Sequence, residues 1–261
     1  MPELLIYKSL IVVFLLLGLF VAERNSPAAA VPVYIKTGSR VIKNLSLWLG
    51  NSLISPLIVL PITLYAVSWS GVWDGNWRGD WLDGWGGLLL DIVLLDLWIY
   101  WWHRVNHRLP LLWRFHKVHH LDQWLDVTSA VRFHFGEVIL SALVRGVVIV
   151  CLGMPLSSVI LFETLVLLSA GFHHSNLRLP VKFEWALSQI IITPSIHWIH
   201  HHVTQQDTDS NYGALFSFWD RFFGSKSQSV RTADMVIGLD QRNDKKFLQL
   251  LLEPFRRSGR C

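Results

Sequence analysis

Long apolar runs with few charges limit what this chain can fold into more than any other feature of its sequence. Three runs, at residues 4–22, 45–69 and 85–102, are long enough for a helix to cross a hydrocarbon core of roughly 30 Å at about 1.5 Å per residue. Hydrophobic residues make up 52% of the chain and charged residues only 16%, whereas an ordinary soluble domain has about 25% charged residues. The sequence therefore predicts membrane spans and not a water-soluble core.

A fourth apolar stretch, at residues 138–171, is interrupted by Gly153, Met154 and Pro155. Each arm has about 15 residues, which is short for a straight span. We expect either a hairpin that returns to the same side of the membrane or two short, tilted spans. The predicted fold class is all-α, a multi-pass membrane helical bundle of about three full spans plus this hairpin.

The charges of the connecting loops predict how the chain is oriented. Residues 23–44 and 103–137 carry an excess of Lys and Arg, whereas residues 70–84 carry an excess of Asp. Because an excess of Lys and Arg marks the cytoplasmic side, the segment after Trp102 is predicted to face the cytoplasm, in a bacterial inner membrane or the endoplasmic reticulum. The chain has no nucleic-acid-binding motif, so no nucleic-acid partner is expected.

All twelve histidines lie between His103 and His202. Most of them fall into clusters with helical spacing, in which residues i, i+3 and i+4 share one face of a helix. The predicted ligand clusters are His103 and His107; then His116, His119 and His120; then His197, His200 and His201. His174 is a predicted ninth ligand, and His134 and His173 are further candidates.

Eight or nine imidazoles are too many for one ion and suit two. Imidazole binds zinc, copper, iron and nickel, but structural zinc needs only four ligands and usually includes cysteine. We therefore favour two iron ions that react with O2, with zinc and copper as alternatives. Asp96 lies two turns before His103 in an apolar span, where a charge is costly. We expect Asp96 to orient a ligating histidine; a hydrogen bond in helix packing is the alternative.

Three stretches of the sequence resemble the histidine boxes of the fatty acid hydroxylase superfamily, which includes the sterol desaturases. They lie, in the expected order, at residues 96–107, 112–120 and 193–201. Residues 211–213 and 218–224 resemble the signature that follows the third box, and residues 132–137 and 174–176 also resemble family stretches. One departure is Ser225, which follows a glycine where many relatives have threonine.

The resemblance implies a catalytic domain at residues 85–225, preceded by N-terminal spans and loops at 1–84 and followed by a cytoplasmic tail at 226–261. It also implies that the boxed histidines bind a di-iron centre in a cytoplasmic cap. Such a centre would use O2 to hydroxylate or desaturate a lipid, such as a sterol or a fatty acyl chain. No fused haem domain is visible in the sequence, so we expect a separate electron donor, either a cytochrome b5-like protein or a ferredoxin with its reductase.

Other functions for a histidine-rich membrane protein are weaker interpretations. A non-catalytic metal-binding or transport protein is the main alternative, but transport sites usually lie near the bilayer midplane, whereas these clusters follow the end of a span. An intramembrane metalloprotease would need an H-E-x-x-H signature, which the sequence lacks.

Overall fold

The computed structural model describes residues 2–73, 84–239 and 244–256, with only the backbone described at residues 2–9 and 71–73. These residues form helices and loops, with three isolated β-bridges and no β-strand among them. The predicted all-α class is therefore confirmed.

Six long helices form the bundle. They are α1 (Pro2–Asn25), α2 (Thr37–Ile54), α3 (Leu60–Trp73), α4 (Trp85–Arg108), α6 (Phe135–Leu152) and α7 (Leu156–His174). Four apolar helical segments of the described chain are long enough to cross a membrane: Thr37–Ser70, Trp85–Arg108, Phe135–Leu152 and Leu156–His174. The first predicted span coincides with α1, and the acidic loop lies largely at residues 74–83, outside the described residues.

The segment Thr37–Ser70 is one continuous span because α2 runs into α3 through a π-helical turn, Ser55–Val59. Pro56 has no N–H, so it cannot donate to the regular helical ladder. The backbone hydrogen bonding continues instead with a bond between residues five apart, in which the Leu60 N–H donates to the carbonyl oxygen of Ser55. The turn keeps the helix intact and adds one local irregularity in the wall of the bundle.

The interrupted apolar stretch forms two antiparallel helices, each of which is long enough to cross a membrane. Gly153 ends α6 in the left-handed conformation, with φ of 62°, which costs glycine little because it has no Cβ. Pro155 then caps the start of α7. The hairpin therefore starts and ends on one side of the bundle, which is where the histidines lie.

The core of the bundle is a buried apolar cluster between α4, α6 and α7. Leu95, Ile149, Met154 and Phe162 are among its members. Along α6, Gly146 lies against α3, where a Cβ added to it would make ordinary contacts of 3.4 Å with Ile62 and 3.6 Å with Ala66.

The cap is built from short helices that follow or precede the long ones. They are α5 (Pro110–His120), α8 (Val181–Leu187), α9 (Pro194–His200), α10 (Gln205–Thr208), α11 (Phe218–Phe222) and α12 (Phe247–Leu252), with 3₁₀ turns at Val127–Val131 and Glu253–Phe255. Within the cap, α12 packs through Leu250, which is buried with Leu47, Val118 and Leu121.

Candidate metal centre

Three pieces of chain bring the first two histidine clusters together. His103 and His107 lie one turn apart near the end of α4, which stops at Arg108. Leu109 is extended and Pro110 starts α5 at once, because its fixed φ suits the first helical position. α5 then folds back beside α4 and carries His116, His119 and His120 toward it.

The third cluster is carried by α9, a short helix that begins at Pro194. The carboxylate of Glu184 in α8 accepts a hydrogen bond of 3.0 Å from the Ser195 N–H in its first turn. The following loop is held in place by Asp220, which accepts hydrogen bonds from the N–H groups of Tyr212 and Gly213 at 2.7 and 2.9 Å.

Nine histidines meet in two groups that could each hold a metal ion. Within each group, one ring nitrogen per residue lies within 4.8 Å of the others. The first group is His103, His107, His116, His120 and His200; the second is His119, His174, His197 and His201. The structure thus brings together all nine residues that the sequence singled out first, and it partitions them between two sites.

Hydrogen bonds to acceptors fix the tautomer of five of these rings. A carbonyl or carboxylate oxygen can only accept, so the Nδ1 atom that it contacts must carry the hydrogen, and Nε2 of a neutral ring keeps its lone pair. The Nδ1 donors and acceptors are His103 to Tyr212 O (2.9 Å), His116 to Glu137 Oε1 (2.7 Å), His119 to Arg132 O (3.2 Å), His174 to Ala170 O (2.8 Å) and His200 to Ser210 O (2.6 Å).

The free Nε2 lone pairs of these rings face one another at short distance. Nε2 of His103 lies 3.1 Å from Nε2 of His116 in the first group. In the second group, Nε2 of His174 lies 3.0 Å from Nε2 of His119. Two lone pairs at this distance repel unless a cation lies between them, so the residues fit a metal ion in each group.

Five of the rings outside the membrane spans are held neutral, as metal ligands must be. Burial, followed by the repulsion of neighbouring imidazoles, lowers the pKa of His119, His120, His197 and His201 well below the ordinary value. Burial also lowers the pKa of His200 to about 3. Buried nitrogens without a hydrogen-bond partner among the described residues include both ring nitrogens of His120 and Nε2 of His200, which a metal would satisfy.

Glu137 is a site residue that helical spacing among histidines did not reveal. It lies in the first turn of α6 and is buried, and its carboxylate holds Nδ1 of His116. Carboxylates of this kind orient ligating imidazoles and make them more basic. The sequence carried a signal, because Glu137 stands in one of the stretches that resemble the family.

Asp96 is buried in α4, but its contacts differ from the prediction that it orients a histidine. Its carboxylate accepts hydrogen bonds from the N–H groups of Leu215 and Phe216, each at 3.0 Å, and from Nε1 of Trp219 at 2.9 Å. Asp96 therefore anchors the loop after α10 to the bundle. The spacing of two turns predicted only that Asp96 and His103 share one face of α4. The hydrogen-bond partners of Asp96 come from a distant segment of the chain.

Three other histidines lie outside both groups. His134 caps α6 by accepting from the Gly136 N–H at 3.0 Å, while its Nε2 lies 3.1 Å from the Leu251 carbonyl oxygen. His202 contacts the Asp207 carboxylate at 2.8 Å. The ring centre of His173 is 4.0 Å from that of His197, so His173 borders the second group without belonging to it.

A buried ionic network supports the segment that follows α5. Arg40 of α2 donates to Asp122 at 2.8 Å and also contacts Asp126. Burial alone would raise the pKa of Asp122, but Arg40 and Arg132 lower it. Arg132 in turn donates to the Val118 carbonyl oxygen at 2.9 Å, and its own carbonyl oxygen accepts from His119, so the network ends at a candidate ligand.

A cavity of about 450 Å³ leads from both histidine groups into the helical bundle. One end of it is lined by His103 and His116 of the first group and by His119 and His174 of the second. Large apolar side chains line the next part, including Trp98, Ile99, Trp102, Phe162 and Val166. The cavity could therefore hold an elongated apolar molecule beside the histidines.

Four candidate spans and two buried histidine groups define a helical membrane protein with a candidate two-metal centre. Residues 88–225, just over half of the chain, match the fatty acid hydroxylase family. The chain belongs to this family, as the three histidine boxes predicted. No solved structure gives a significant match.

Several characterised proteins are similar to parts of the chain. An ornithine lipid hydroxylase from Rhizobium tropici is 29% identical over 173 residues, which cover 66% of this chain and 51% of the relative. An alkylglycerol monooxygenase from Danio rerio is 31% identical, covering 50% and 28%. A lathosterol oxidase from Rattus norvegicus is 29% identical, covering 55% and 47%. The chain thus spans about half, or less, of the length of these relatives.

Proposed function

We propose that this protein is a membrane-bound oxygenase with a di-iron centre, and that it uses O2 to hydroxylate a lipid. Desaturation of the lipid is the alternative outcome at the same site. The observation that carries the proposal is the set of imidazoles whose Nε2 atoms converge in two groups beside a largely apolar cavity. The named activities of the relatives, on an ornithine lipid, an alkylglycerol and a sterol, support a lipid substrate.

Iron is favoured over the other metals by the chemistry of the donors. Nine nitrogen ligands exceed what structural zinc uses, and no cysteine belongs to either group of the described residues. Imidazole suits iron, and iron supplies the redox chemistry that activates O2 toward an unactivated C–H bond. In hydroxylation, one oxygen atom enters the C–H bond and the other leaves as water, with two electrons and two protons from a separate donor.

The residues of the chain have distinct tasks in this reaction. The nine histidines hold the metals, and Glu137 keeps His116 in the tautomer that presents Nε2. Trp98, Trp102 and Phe162 in the cavity wall position the lipid and exclude water from the reacting carbon. We further propose that the cap faces the cytoplasm, where a cytochrome b5-like protein or a ferredoxin with its reductase would deliver the electrons.

Changing one histidine in each group tests the proposal. In cells that express the protein, we expect a lipid heavier by one oxygen atom, or lighter by two hydrogen atoms if the enzyme desaturates. The double variant His119→Ala, His200→Ala should lose both this product and the iron of the purified protein, while it still inserts into the membrane. Lipid mass spectrometry and metal analysis measure the two effects.

The matched control is His202→Ala, because His202 lies outside both groups and its ring contacts the cap residue Asp207. This variant should keep the product and the iron. The proposal is wrong if the double variant still makes the product, or if the wild type moves metal across proteoliposomes and makes no oxidised lipid.

A further inference from the structure

The cavity ends in a pair of opposite charges deep inside the bundle. Nη2 of Arg145 in α6 lies 2.9 Å from Oε1 of Glu163 in α7, and both residues line the cavity. Arg145 is ten residues into α6, about 15 Å along its axis, which is half of a hydrocarbon core of roughly 30 Å. The pair therefore lies near the middle of two candidate spans.

Charges at this depth are costly and usually serve a function. The Arg145 side chain is largely buried, with 12% of it exposed, and the Glu163 side chain is partly buried, with 32% exposed. Buried polar groups in proteins are normally hydrogen-bonded. Here the only other contact of the Arg145 guanidinium described is a long one of 3.4 Å to Oγ1 of Thr63, and its buried Nε has no hydrogen-bond partner among the described residues.

Polar side chains also line the cavity. They are Asn51, Ser52 and Ser55 of the segment Thr37–Ser70 and Ser141 of α6, the last of which lies one turn of helix before Arg145. Asn51 already donates a hydrogen bond of 2.9 Å to the Phe133 carbonyl oxygen. An occupant with a hydrogen-bonding group of its own would match this mixed lining better than a plain hydrocarbon.

We infer that the far end of the cavity binds an uncharged hydrogen-bonding group of the substrate, a hydroxyl or an amide. Such a group can donate to the carboxylate of Glu163 and accept from the guanidinium of Arg145. A carboxylate would be attracted by Arg145 but repelled by Glu163, and a plain hydrocarbon could not accept a hydrogen bond from Arg145. The substrate class is therefore a lipid that carries a hydroxyl or an amide on its apolar chain.

The same geometry sets the distance between this polar group and the oxidised carbon, a consequence that rests on the proposed function. Glu137 contacts the metal ligand His116 and precedes Arg145 by eight residues, about 12 Å along α6. Glu163 precedes His174 by eleven residues, about 16 Å along α7. The enzyme would thus oxidise a carbon at a fixed distance from the bound polar group.

Binding to the purified full-length protein in detergent tests the inference without any turnover. The probes are deuterated hexadecanol, hexadecanamide, palmitate and hexadecane, which share a chain and differ at one end. Mass spectrometry measures how much of each probe stays with the protein after desalting. Hexadecanol and hexadecanamide should be retained about tenfold more than hexadecane, as expected for a hydrogen bond to a charged group, and more than palmitate.

Removing both charges should abolish this preference. The variant R145M/E163M leaves no unpaired charge in the cavity and should retain the four probes about equally. The matched control L143M/L161M changes the same two helices at side chains that face away from the bundle and are 49% and 37% exposed; it should behave as the wild type. Iron content reports whether the distant metal centre is intact.

A single variant keeps the inference testable if the double variant does not fold. E163Q leaves Arg145 as the only charge of the pair, so palmitate should overtake hexadecanol. The inference is overturned if the wild type retains hexadecane as well as hexadecanol, if it prefers palmitate, or if E163Q leaves the order unchanged. Because the measurement needs neither iron nor O2, these results are separate from any failure of the proposed oxygenase activity.

Discussion

Each imidazole of the two histidine groups offers a metal one nitrogen, and its tautomer decides which one. In five rings, an acceptor on Nδ1 directs the lone pair of Nε2 into the group. Four of these acceptors are backbone carbonyl oxygens, which substitution of a side chain does not remove. Glu137 is the one carboxylate among them, so the contribution of such an acceptor can be measured there.

We expect Glu137→Ala to weaken iron binding by about 10–100-fold, because ligating histidines depend on the groups that orient them. Glu137→Gln should lose less, since its amide oxygen can still accept from Nδ1 of His116 but carries no charge. Iron titration of the metal-free protein measures both affinities. Unchanged affinity in Glu137→Ala would show that His116 is oriented by something else.

At the scale of helices, spacing predicted which histidines share a face but not how they divide between two sites. An α-helix turns about 100° per residue, so residues i and i+4 stay aligned more closely than i and i+3. The structure follows this rule in α5, where His116 and His120 join one group and His119 joins the other. In the α9 cluster, His197 and His201 stay together while His200 joins the first group.

The C-terminal segment also forms part of the cap. The sequence alone did not determine this packing. Its helix α12 inserts Leu250 against α2 and α5, and Leu250 is fully buried. We expect Leu250→Ala to lower the free energy of unfolding by about 2–5 kcal/mol through the cavity it leaves. Leu248→Ala is the control, because Leu248 is 70% exposed. Equal thermal shifts for the two variants would contradict this packing.

A second contact of the same segment predicts that the stability of the fold depends on pH. Glu253 lies 2.9 Å from Nζ of Lys117 in α5 and also contacts Lys245. Burial by itself would raise the pKa of Glu253, but the two lysines outweigh it and lower the pKa below the ordinary 4.5. The unfolded chain therefore binds the proton first, so this contact stabilises the fold above about pH 4.5 and the benefit is lost below it.

Glu253→Gln tests the sign of this effect. The variant should melt at a lower temperature than the wild type at neutral pH, and the difference should shrink as the pH falls below 4.5. Thermal melts of both proteins across that range provide the measurement. A difference that grows in acid would mean that Glu253 is not held ionised by Lys117 and Lys245.

At the scale of the whole molecule, the sequence predicted those features of the fold and the site that depend on local periodicity. The apolar runs gave the helical class, and the histidine spacing singled out the nine residues that meet in the structure. Contacts between distant segments were not predictable in the same way. Asp96 and the loop at Leu215 are more than one hundred residues apart, and so are Leu250 and α2. The predicted division at residues 84 and 225 stays a prediction.

The central claim is that the two histidine groups hold two iron ions. The most direct measurement is the metal content of the purified full-length protein, together with X-ray absorption at the iron edge. We predict two iron ions per chain, each with a shell dominated by nitrogen. A single zinc ion in a closed site of four ligands, or no bound metal after expression with iron, would contradict the account.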